Sequence, residues 1–159
     1  MADPVVDYVV VKWLHIVSST LLFGTGIGSA WYMLFASISR DVRAIAVVTR
    51  NVVTADWLFT ATTAVLQPAT GFYMIHLAGY PLHSPWIMWS IAIYILAGAC
   101  WLPVVWLQIR MRDLAAQAVR TDAPLAPQYW RYFKIWVALG VPAFAAFIVI
   151  FWLMVAKPM

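Results

Sequence analysis

Four continuous apolar runs, at about residues 8–36, 52–77, 86–109 and 130–155, most constrain what this chain can fold into. Each is long enough to cross a hydrocarbon core of ~30 Å, which takes ~20 helical residues. Lipid offers the backbone no water to bond with, so a spanning segment must be a helix or part of a closed barrel. Barrel strands read as short segments of alternating hydrophobicity, and these runs are unbroken. The sequence therefore predicts an all-α fold, a four-helix transmembrane bundle, with residues 1–159 forming a single integral membrane domain. Composition agrees: 10% of residues are charged, against about a quarter in a soluble domain.

The charges that remain lie between the runs. The first connection holds Arg40, Asp41, Arg43 and Arg50, and the third holds Arg110, Arg112, Arg120, Arg131 and Lys134 with Asp113 and Asp122. The second, Ala78 to Pro85, holds no Lys or Arg. Eight basic residues thus face two, Lys12 and Lys157. By the positive-inside rule the first and third connections are cytoplasmic and both termini lie outside, which makes the chain a multi-pass membrane protein. The net charge of +4 is a topology signal and does not point to nucleic acid. The acidic Asp3 and Asp7, with no basic stretch before the first run, predict that this run stays as an anchor and is not a cleaved signal. Residues 113–128 read as a short polar connection.

Composition also excludes chemistry. All six acidic residues are Asp, which rules out the Glu-rich di-iron bundles and leaves little for a carboxylate acid/base pair. The single Cys100 makes neither an internal disulfide nor a cysteine-based metal site. No phosphate loop, nucleophile elbow or zinc-protease motif is present.

Ionisable groups inside a span are costly and carry a functional hypothesis by default. Lys12 and His15 lie within the first run, one helical turn apart. Helical residues step about 100° apart, so Lys12, His15, Ser18, Ser19, Leu22, Gly26, Ser29 and Met33 share a broad stripe. Gly24 and Gly28 form a small-xxx-small pair on the opposite side, suited to close contact within the bundle, with a second copy or in a larger complex. On the second run Asp56, Thr60, Thr63, Gln67, Gly71 and Met74 share a polar, small face that should look inward, and His76 lies opposite. On the third, Ser90, Tyr94, Ala97, Trp101 and Gln108 share a stripe. Prolines at 68, 103 and 142 kink their helices or open a cavity between them.

Depth separates these groups into an outer cluster around His15, with Tyr94, Met74 and His76, and an inner one around Asp56 and Gln108. A neutral imidazole is a common ligand for zinc, copper or haem iron; His15 is either such a ligand or hydrogen-bonded to a hydroxyl such as Ser19 or Tyr94. Lys12 snorkels to the outer interface or holds an anionic group such as a haem propionate. His76 and His83 are interface residues or ligands, and with His15 they place every histidine on the outer side. Asp56 pairs with Arg40, Arg43 or Arg50, or sits in a first helical turn where negative charge suits the dipole. Gln67 bonds a carbonyl freed by Pro68 or a polar ligand.

At Val11-Lys12-Trp13-Leu14-His15-Ile16, followed by a glycine-rich half span, the chain resembles the first helix of HemJ-type protoporphyrinogen oxidases and of CopD-like copper-resistance membrane proteins. Over nearly its whole length it is more similar to a bacterial domain-of-unknown-function family of small integral membrane proteins, through Leu22-Phe23-Gly24-Thr25-Gly26-Ile27-Gly28, Ala55-Asp56-Trp57, Gln67-Pro68 and Trp101-Leu102-Pro103. The HemJ resemblance implies a b-type haem on His15 and oxidation of a porphyrinogen with electrons passed to an acceptor such as quinone. That type also requires a lysine in a later span, and none lies between Trp86 and Gln108. The leading expectation is a b-haem redox protein with His15 and His76 as metal ligands, Lys12 on a propionate, and Tyr94 or Ser19 orienting the site. The others are a non-catalytic membrane subunit or assembly partner and a copper-handling protein.

Overall fold

Asp41 marks where the first helix ends and the second begins. The computed structural model describes residues 4–158. In it α1 (Pro4–Ser39) runs without interruption to Ser39. Arg40 then takes a left-handed backbone, φ 58°. Asp41 turns extended, and its carboxylate accepts from the backbone N–H of Arg43 at 2.9 Å and of Ala44 at 3.2 Å. Those two donors would otherwise be orphans at a helix start. The first connection is therefore a tight reversal, and Arg43 and Arg50 are carried on α2 (Val42–Ala55). This helix buries Ile45, Thr49, Val52 and Val53 at helical spacing and turns Arg43, Arg50, Asn51 and Thr54 outward.

A π-helical turn (Asp56–Thr60) joins α2 to α3 (Ala61–Ala78). Ala55, Asp56 and Ala61 all keep right-handed helical dihedrals, so residues 42–78 form one rod. α3 stops at Gly79, whose φ of 67° is free for glycine alone. Tyr80 N–H then bonds Ile75 O at 3.1 Å, closing the last turn in the manner of a Schellman motif. α4 (Pro85–Arg120) and α5 (Pro127–Ala156) both begin on proline, where a missing N–H removes nothing. α4 runs on through Arg110, Arg112 and Asp113 to Arg120, so residues 113–120 are helical and the polar connection is shorter than its composition predicts. A helix is not obliged to end where the lipid does.

The described residues form helices and no strand. Three stretches are long and apolar enough to cross a membrane: Val5–Ser39, Pro85–Arg120 and Pro127–Ala156. The second expected span corresponds to the π turn and α3, where Thr60, Thr62, Thr63, Gln67 and Thr70 lower the apolar character. α1 packs on α2 and α3, α2 on α4, and α4 on α5.

The packed core sits at one end. Met33, Ile45, Met111, Ala115 and Tyr129 are fully enclosed, with Leu107 and Trp136 beside them. Tyr129 donates its hydroxyl to Ser37 Oγ at 2.7 Å, while Ser37 donates to Met33 O at 2.8 Å. A helix of 36 residues is about 54 Å long, well beyond a ~30 Å hydrocarbon core. Arg40 stacks on Trp130 at this end, 5.6 Å from the ring centre. At the opposite end Lys157 lies over Tyr80 and Trp86, at 5.1 and 5.5 Å.

Candidate functional site

Away from the packed core, α1 and α3 are joined by polar side chains. Gln67 on α3 donates from Nε2 to His15 O at 2.8 Å and to Ser18 Oγ. Ser18, buried, donates in turn to His15 O at 3.1 Å. One helical turn on, Thr70 Oγ1 lies 2.8 Å from His15 Nδ1. The Thr70 proton is already committed, because its hydroxyl bonds Leu66 O at 2.7 Å. Thr70 can therefore only accept from the imidazole. This assigns the proton to Nδ1 and leaves the Nε2 lone pair free. The ring faces Gly71, where a Cβ would make ordinary contact, 3.5 Å from His15 Cε1.

The arrangement is a half-buried imidazole, fixed in orientation and tautomer, with one basic nitrogen unused. That is the form a metal- or haem-ligating histidine takes, its other nitrogen donating to a neighbouring oxygen. It is equally the form of a proton acceptor.

The other expected members are placed differently. Tyr94 donates to Ala64 O at 2.6 Å and not to the imidazole. Ser19 donates to Ile16 O on its own helix at 2.8 Å. Lys12 is exposed one turn before His15. His76 is exposed on α3, six residues beyond Thr70, hence about 9 Å along the axis and about 240° around it. The structure does not bring His76 to His15, because the helix face that carries Thr70 turns His76 away. His83 is exposed in the α3–α4 connection. A b-type haem can be held by one axial histidine nitrogen, and His15 Nε2 offers one. Zinc wants three or four protein ligands, and the described residues contain no group of three His, Cys, Asp or Glu that could hold a metal.

Thr70 is the partner that sequence reasoning missed. The signal was available: it is three residues from Gln67, on the same inward stripe.

Asp56 belongs to a separate place, fourteen residues from Thr70 and so about 21 Å along the rod. It is 5% exposed and accepts from Thr60 Oγ1 at 3.0 Å. The expected pairing with Arg40, Arg43 or Arg50 is absent; among the described residues the ion pair is Arg112 with Asp113, at 2.7 Å. The extension of the helices explains this. Arg43 and Arg50 are held on the outward face of α2, and Arg40 is drawn to Trp130.

No curated protein matches the chain, and no solved structure does. A family model described as a predicted integral membrane protein covers residues 9–158. The chain belongs to that family, DUF2269.

Proposed function

We propose that the protein is a multi-pass redox protein of the bacterial inner membrane that binds one b-type haem through Nε2 of His15. The four helical rods cross the bilayer with both termini outside, which puts the basic residues of α2, α4 and the start of α5 in the cytoplasm. The observation that supports the reading is the Thr70 contact, which orients the imidazole and leaves its Nε2 open.

When bound, the haem would supply a one-electron couple for exchange with a partner such as quinone. The chain's own residues do the rest. Gln67 ties the His15 carbonyl and the Ser18 hydroxyl to α3. Thr70 holds the ring by accepting from Nδ1. Lys12, one turn toward the outer surface, is placed to meet a carboxylate such as a propionate.

The absorbance spectrum of the purified protein tests this. A Soret band lost in His15→Ala supports it. No band, before or after haem supplementation, overturns it. Rescue of a strain lacking its porphyrinogen oxidase would extend the reading to catalysis. Metal analysis separates haem iron from copper.

A second reading has its own observation. A Cβ added at Gly24 or Gly28 meets nothing within 4 Å, so this face of α1 is open to another helix. A subunit or assembly role follows if the chain co-purifies with a larger complex and no cofactor.

A further inference from the structure

The inner polar cluster is independent of the haem reading. It forms where the rod departs from α geometry: Ala61 N–H bonds Asp56 O, five residues back. Such π turns are rare and frequently occur at functional sites. This one directs Asp56 and Thr60 inward, against Gln108 of α4.

Three observations converge there. Gln108 is 4% exposed; its amide acts on the Asp56 carboxyl, and its Oε1 has no hydrogen-bond partner among the described residues. A cavity of about 20 Å³ lies between Asp56, Gln108, Trp57 and Trp101, room for one water. And among the described residues no cation pairs with the carboxylate. On α2, Arg43 and Arg50 are exposed. On α4, Arg110 lies over the Trp106 ring at 5.6 Å, and Cys100 is outside the cavity lining. On α1, Tyr32 is exposed. On α3, the titratable Tyr73 and His76 are exposed and more than a dozen residues away.

A buried carboxylate without a cation and a buried acceptor without a donor are each unfavourable. One proton resolves both. We propose that Asp56 is a proton-binding site. Its carboxylate takes a proton from the aqueous phase to become a neutral carboxyl, and the new O–H is passed to Gln108 Oε1 directly or through one water in the cavity. No electrons move, and the reverse step returns the proton to water. The ligand is thus the proton itself, taken up at a fixed depth next to a helix irregularity.

Infrared spectroscopy of the full chain in lipid vesicles, in H₂O and D₂O, tests this. The chain has no Glu, and Asp41, Asp113 and Asp122 are exposed, so the Asp56→Asn variant assigns a buried carboxyl band. A protonated-carboxyl band at neutral pH that shifts in D₂O, vanishes in Asp56→Asn and moves to higher frequency in Gln108→Leu is the expected result. Absence of the band in the unaltered protein overturns the proposal, whatever the variants do. So does its loss on adding sodium chloride at constant pH, which would make the site one for a metal cation.

Discussion

The hydroxyl of Tyr94 on α4 donates to the carbonyl of Ala64 on α3 at 2.6 Å, and that carbonyl is the one Pro68 leaves without its usual donor. An α-helix would fill it from the N–H of residue 68, which proline lacks. A neighbouring helix supplies the missing group, as membrane helices require.

Tyr94→Phe should therefore lower stability in detergent by about 1–2 kcal/mol. In a Pro68→Ala background, where the backbone fills the carbonyl itself, the same change should cost clearly less. Unfolding measurements on the four proteins of this cycle check it; simple additivity would sink the account.

For the haem site, Thr70→Val should weaken binding by about 10–100-fold, the range for removing a group that orients a ligand. His76→Ala should leave the band unchanged, since His76 is exposed and turned from His15. Haem titration followed by absorbance separates the two. An equal loss in both would point to a ligand pair that this arrangement does not contain.

The end core predicts an uneven stability map. Met33→Ala, at a fully enclosed position, should cost about 2–5 kcal/mol. Leu102→Ala, at a position 66% exposed, should stay within about 0.5 kcal/mol. Thermal unfolding in mild detergent reads both.

Topology is open to direct labelling. In a Cys100→Ala background, His83→Cys should react with an impermeant maleimide in intact spheroplasts, and Asp122→Cys only after permeabilisation. The reverse pattern would invert the proposed orientation.

Much of this was legible in the residues. The apolar runs fixed an all-helical membrane protein, and the spacing that set His76 opposite Gln67 agrees with its exposure. Helix extension was harder to see, because arginines in a connection look alike whether coiled or helical; the Asp41 cap was the available clue. Thr70 was overlooked because threonine in a membrane helix usually bonds its own backbone, as Thr70 also does. The π turn left no mark in composition. Its five residues, Asp-Trp-Leu-Phe-Thr, would sit equally well in an ordinary helix.

That turn also acts as a phase shift. In an unbroken α-helix Asp56, Thr60, Gln67 and Thr70 would keep a single azimuth and address one neighbour. The wider loop rotates everything after it by about a quarter turn relative to that ideal. One stripe in the sequence thus becomes two keys on one shaft: Asp56 meets Gln108 on α4, and Gln67 and Thr70 meet His15 and Ser18 on α1. Deleting one residue within 56–60 would remove the wide loop yet keep the two keys in their present phase, whereas closing the turn into ordinary α-helix with every residue kept would swing both onto one lock.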